Sequence, residues 1–166
     1  MSNTQKVLYM AMLVAIDVVL SRFLAVNTPI LRASFNFIPI AVAAILFGPV
    51  WAAAGAAAAD IIGATLFPVG PYFYGFTVSA ALTGLIYGIF LYKRKVSWRT
   101  LIAPVLLVTL GVNVGLGTLW LHMTMGKAFL AMLPTRLAKN LLMIPIQIVV
   151  VMLIAHKVVP LLKKKA

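Results

Sequence analysis

The residues most able to do chemistry in this chain are cations and amides set among apolar neighbours. The run Gly126-Lys-Ala-Phe-Leu-Ala-Met-Leu-Pro-Thr-Arg-Leu-Ala-Lys-Asn-Leu-Leu-Met-Ile-Pro-Ile-Gln147 places Lys127, Arg136, Lys139 and Asn140 in a greasy stretch. Arg22 and Arg32 precede a second such stretch, Ser34-Phe-Asn-Phe-Ile-Pro-Ile40. Cations are costly in hydrocarbon and mark a solute path or a paired site. Pairing inside the chain is limited, because 14 Lys and Arg face only two acids, Asp17 and Asp60. The imbalance points to an anionic ligand. Arg136 and Asn140 share a helix face by their i, i+4 spacing. An Arg there can grip a carboxylate through two parallel hydrogen bonds, or snorkel to the headgroups.

A second group of residues suits a flat ligand. Thr109, Asn113, Gly117 and Trp120 fall close to one helical stripe, combining polar groups, a gap and an indole. A buried amide such as Asn113 needs hydrogen-bond partners, which a heterocycle would supply. The loop Phe67-Pro-Val-Gly-Pro-Tyr-Phe-Tyr74 clusters aromatic rings beside Gly and Pro, as a lid stacking on a ring would. Membrane-interface anchoring is the alternative role for Trp120 and these tyrosines. Asp17 and Asp60 have two readings: a cation-paired acid holding helices together, or an acceptor for a ligand's amino group or a coupling proton.

Composition dictates what must position these groups. Of 166 residues, 64% are hydrophobic and 10% charged, with a mean hydropathy of +1.12. No soluble domain of this size needs that much apolar surface, so the whole chain reads as a single integral membrane domain, residues 1–166. The net charge of +12 is no sign of nucleic acid, since Lys93, Arg94, Lys95 and Arg99, and Lys157 with Lys163 to Lys165, sit at span ends. With no Cys, structural disulfides and thiolate metal sites are excluded.

Six spans are expected: about Lys6 to Leu24, Phe35 to Phe47, Val50 to Leu66, Gly75 to Tyr92, Leu101 to Leu121, and a last one reaching His156. The second is short for a bilayer core of about 30 Å and reads as a tilted or partly re-entrant piece. The last is expected to break or kink at Pro134 and Pro145. The Ala52 to Ala59 run, with Gly55, suits close helix packing. One side of this layout carries Lys6, Lys93, Arg94, Lys95, Arg99, Lys157 and Lys163 to Lys165, the other only Arg22, Arg32 and Lys127. The positive-inside rule then puts both termini in the cytoplasm. An enzyme is not expected: the chain has only two acids and two histidines, His122 and His156, with no paired carboxylates, metal-spaced cluster, nucleotide-binding Gly loop or nucleophile elbow.

Several segments resemble the folate-specific substrate-binding (S) component of energy-coupling factor (ECF) transporters. They are Val19-Leu-Ser-Arg-Phe23, Leu31-Arg-Ala-Ser-Phe-Asn-Phe-Ile-Pro-Ile40, Ile45-Leu-Phe-Gly-Pro49, Ala59-Asp-Ile-Ile-Gly63, Leu66-Phe-Pro-Val-Gly70, Gly75-Phe-Thr-Val-Ser-Ala80 and the Gly126 to Gln147 run. The resemblance spans about Lys6 to Leu153. It departs at Asn36, where such sequences carry Gly, and at Gly117, where they carry Asn.

The resemblance implies an all-α, six-helix plasma-membrane protein that binds folate and carries no cofactor of its own. It implies docking on a transmembrane coupling protein with two cytoplasmic ATPases, which use the ATP. Ala11 and Ala15 match the Ala-x-x-x-Ala docking pattern of the first helix. Folate's pterin offers hydrogen bonds for Asn113 or Asn140 and a face for Phe67, Tyr72, Tyr74 or Trp120, and its two tail carboxylates suit Arg22, Arg32 and Arg136. The rival expectations are an S component for thiamin or riboflavin, a self-contained ion-coupled carrier using Asp17 or Asp60, and a lipid-directed membrane enzyme.

Overall fold

The computed structural model describes residues 2–27, 32–126 and 129–165. The helices are α1 (Asn3–Arg22), α2 (Phe37–Phe47), α3 (Pro49–Leu66), α4 (Tyr74–Leu91), α5 (Trp98–Leu106), α6 (Gly117–Met125) and α7 (Phe129–Lys165). A π-helical segment, Leu107–Leu116, joins α5 to α6. Two-residue strands, β1 (Val26–Asn27) and β2 (Arg32–Ala33), pair antiparallel between α1 and α2. This ribbon is the one non-helical pairing among the described residues.

Local sequence explains the ends. Ser2 and Gln5 form a reciprocal capping box at the start of α1, and Ser97 with Thr100 does the same for α5. Pro49 sits at the first turn of α3, where a missing N–H costs nothing. The break expected at Pro134 or Pro145 does not occur: the chain stays helical through both and through Pro160. A membrane helix tolerates such prolines where neighbouring groups re-satisfy the freed carbonyls.

The span count is also corrected. Five helical stretches are long and apolar enough to cross a membrane: Asn3–Arg22, Pro49–Leu66, Tyr74–Leu91, Trp98–Met125 and Leu130–Leu161. The expected second span is only the 11-residue α2, about 16 Å long at 1.5 Å per residue. Nine of its eleven residues are buried, so protein rather than lipid surrounds it. By contrast Val50, Leu130 and Leu142 on the long helices are more than two-thirds exposed, as lipid-facing residues are.

Contacts give the direction of each helix. Met10 meets Gly55, and Arg22 meets Asp60 and Gly63, so α1 and α3 run parallel. Thr77 bonds Asp60 while Gly88 abuts Pro49, so α4 runs antiparallel to α3. At Gly84 and Gly88 a Cβ would overlap backbone atoms of α3, so only glycine permits this approach. Trp120 reaches Ser79, and Arg136 reaches Asn113, so the π segment with α6 and then α7 alternate again. The bundle thus has an aromatic end, holding Phe23, Phe67, Phe73 and Trp120, and a basic end, holding Lys93 to Lys95 and Lys157.

Candidate functional site

A cavity of about 520 Å³ lies among α1, α2, α3, α4, the π segment and α7, bordered by the Pro68 to Tyr72 loop. That volume suits a small-molecule site, which typically holds about 300–1,000 Å³. Its wall combines polar groups of α1 (Asp17, Ser21, Arg22), Asp60 of α3, Ser79 and Thr83 of α4, Asn113 of the π segment, and Arg136, Lys139 and Gln147 of α7. Phe37, Ile40, Phe76, Val108 and Met143 supply apolar surface.

Two guanidiniums face this space, each laid over a glycine. A Cβ on Gly63 would lie 2.6 Å from Arg22 Nε, and a Cβ on Gly117 would lie 2.6 Å from Arg136 Nη2. Arg22 is ion-paired with Asp60 at 3.7 Å and donates to the Asp60 carbonyl at 3.4 Å. The opposite Asp60 oxygen accepts from Thr77 Oγ1 at 2.8 Å, and Thr77 shares a 2.6 Å hydrogen bond with the Tyr72 hydroxyl. One chain of contacts therefore joins α1, α3, α4 and the aromatic loop. Arg22 Nε is buried with no hydrogen-bond partner among the described residues.

Arg136 is held differently. Its Nη2 donates to the main-chain carbonyl of Asn113 at 2.8 Å. The backbone explains why that carbonyl is available. Gly117 N–H still reaches back five residues to Val112, while α6 beyond it follows ordinary spacing. Where a π ladder reverts to α spacing one carbonyl is passed over, and Asn113 is the next in line. Lys139, also on the cavity wall, donates to Asn140 Oδ1 at 3.5 Å.

The structure gathers some expected site residues and separates others. Arg22, Tyr72, Asn113 and Arg136 line the cavity. Trp120 stands just behind its wall, donating to Ser79 Oγ at 2.9 Å and packing against Phe73. Phe67 lies outside the cavity lining, edge-on to Phe23, and Tyr74 is exposed, edge-on to Tyr72. Asn140 is also outside the lining: it is buried, with Nδ2 donating to the Arg136 carbonyl one turn back. The Arg32 side chain and Lys127 lie outside the described residues. Asp60 is the cation-paired acid that one sequence reading expected, though its partner is Arg22 rather than Arg136 or Lys139.

Sequence reasoning passed over Ser21, Ser79, Thr83 and Gln147 as site residues. Gln147 carried a signal, being the single polar residue between Leu141 and Ala155. The serines and threonines carried none, because such residues are common in membrane helices, where their hydroxyls bond their own helix's carbonyls.

Residues 5–155 match the family model described as ECF transporter, substrate-specific component. The chain belongs to that family. It is 40% identical over 151 residues to the folate transporter FolT of Clostridium novyi (strain NT), covering 91% of this chain and 88% of that protein. It is 41% identical over 152 residues to the folate transporter FolT of Leuconostoc mesenteroides subsp. mesenteroides, covering 88% and 82%. Its fold superposes on a crystal structure of FolT bound with folic acid with a TM-score of 0.88, at 40% identity and 94% coverage of both chains. As a substrate-specific component, the chain is a binding subunit of a transporter.

Proposed function

We propose that this protein is the folate-binding subunit of an ECF-type importer. It captures folate at the aromatic end of the bundle and releases it to the other side after docking on the coupling module. The observation that carries this reading is the likeness, along nearly the whole chain, to a FolT structure bound with folic acid. The chemistry of the cavity agrees. Arg136 offers paired donors for a tail carboxylate, Arg22 adds positive potential nearby, and Asn113 and Tyr72 offer an amide and a ring to the flat part of the ligand. The seat of Arg32 in this scheme rests on its sequence neighbourhood alone.

Orientation follows from charge. The basic end, with Lys93, Arg94, Lys95, Arg99 and Lys157, is placed in the cytoplasm and the aromatic end outside. Although α2 is too short to cross a bilayer unaided, it carries the chain back towards the basic end, so both termini belong on the cytoplasmic side. Ala11 and Ala15 are exposed on α1, as a docking stripe for the coupling protein requires. ATP is hydrolysed by the two partner ATPases.

Calorimetric titration of the detergent-purified protein tests the reading. Folate is expected to bind one-to-one without ATP or partners, with thiamin and riboflavin giving no heat. A folded protein that binds another vitamin and not folate would overturn it. The docking surface is tested by Ala11→Trp combined with Ala15→Trp. Uptake in cells should be abolished with folate affinity within about twofold, since the bulky pair blocks close helix approach. Normal uptake would remove α1 from the docking surface.

A further inference from the structure

Gln147 is a buried primary amide that neither topology nor docking explains. It is 5% exposed, yet it stands on the cavity wall in an otherwise apolar stretch of α7. Its Oε1 accepts from the Tyr87 hydroxyl and from Thr109 Oγ1, each at 3.4 Å. These donors come from two different elements, α4 and the π segment, and both residues are fully buried. The contacts are long, so they orient the amide more than they grip it.

With Oε1 turned to two hydroxyls, the other end of the amide has one direction left. Nε2 has no hydrogen bond within the protein among the described residues, yet it is absent from the buried atoms left unsatisfied. It therefore lies on accessible cavity surface. Its surroundings are greasy, with Met143 one turn back on α7 and Val108 beside Thr109. A donor oriented in this way discriminates between ligand groups. An acceptor satisfies it, whereas a second donor leaves both groups unpaired.

Position selects which part of a ligand meets it. Gln147 is eleven residues beyond Arg136 on α7, about 16 Å along a regular helix towards the basic end. A ligand whose carboxylate sits at Arg136 must reach Gln147 with its far end. For folate, that end is the oxo-substituted pterin ring.

We infer that Gln147 is the specificity-determining donor of the substrate site, its Nε2 hydrogen-bonding the pterin carbonyl while Tyr87 and Thr109 act as positioning residues. This rests on the folate reading. A substrate bearing an amino group in place of that carbonyl is disfavoured by the same geometry.

The test compares folate with 4-amino-4-deoxyfolate, which swaps the carbonyl for a donor and keeps the glutamate tail. Affinities are measured by calorimetry on the full-length detergent-purified protein. The wild type should favour folate by roughly tenfold to a hundredfold. Gln147→Leu should bring that ratio close to one. Thr109→Val, which removes one anchor and keeps the shape, should lower the ratio by a smaller factor and serves should the leucine variant not fold. A merely structural role would weaken both ligands together and leave the ratio unchanged, and an unchanged ratio in either folded variant overturns the inference. Failure of wild-type protein to bind either compound would instead overturn the folate reading, and the pterin assignment with it.

Discussion

Arg22 and Arg136 occupy similar seats and are set up for different work. Each guanidinium lies over a bare glycine at the edge of one cavity, Gly63 in the first case and Gly117 in the second. Arg22 faces Asp60, and the acid is further tied to Thr77 and Tyr72. Arg136 donates instead to the main-chain carbonyl of Asn113, which orients the guanidinium. The same residue type thus pairs with an acid of another helix at one seat and, in the proposed binding mode, meets the ligand's carboxylate at the other. The lesson is that an arginine's role in a membrane pocket is read from its partner more than from its depth.

The sharpest way to break this contrast is to remove each cation in turn. Arg136→Ala should weaken folate binding by about 2–3 kcal/mol, roughly 30- to 150-fold, as loss of charge-assisted hydrogen bonds does. A ligand lacking the glutamate carboxylates should lose much less, and equal losses in calorimetry would refute the grip. Gly117→Ala should weaken folate about tenfold by displacing the Arg136 fork, with Tm little changed. Gly63→Ala should instead leave affinity within about twofold and lower Tm, because Arg22 is a clamp. Arg22→Ala should reduce affinity less than tenfold but destabilise the fold by about 1–3 kcal/mol, since it strands the Asp60 carboxylate. A gain in place of a loss is expected from Asp60→Asn, which keeps an acceptor for Thr77 and frees Arg22. Folate affinity there should hold or tighten by about two- to threefold. A large loss of affinity in that variant would mean that the two seats do the same job.

Much of the frame was legible from residue order. Four of the five long helical stretches begin and end within a few residues of the expected spans, because spanning hydrocarbon demands an uninterrupted apolar run. The last helix continues to Lys165, nine residues past the expected His156. The Gly126 to Gln147 run does contribute to the cavity wall, through Arg136, Lys139, Met143 and Gln147, and Arg136 was readable as a cation with no acid nearby in sequence. Three things were hidden. The π segment leaves no mark in residue type, since Leu107–Leu116 would read equally well as α-helix. The partners Arg22 and Asp60 are 38 residues apart and meet only once α1 and α3 are packed. Asn140 shares a helical face with Arg136 in projection, yet its amide turns back to its own helix instead of the cavity. Spacing gives a face; it does not give a rotamer.

The brevity of α2 has one more consequence. A bilayer core is about 30 Å deep and this helix fills about 16 Å of it, leaving roughly three turns of a sixth column unbuilt. Asn36, Phe37 and Ile40, at the truncated end, are on the cavity wall. The cavity accordingly extends into space that a longer α2 would fill. Where α2 begins therefore helps to set the room inside the bundle, and a change of one turn at its start would change the cavity's depth by about 5 Å.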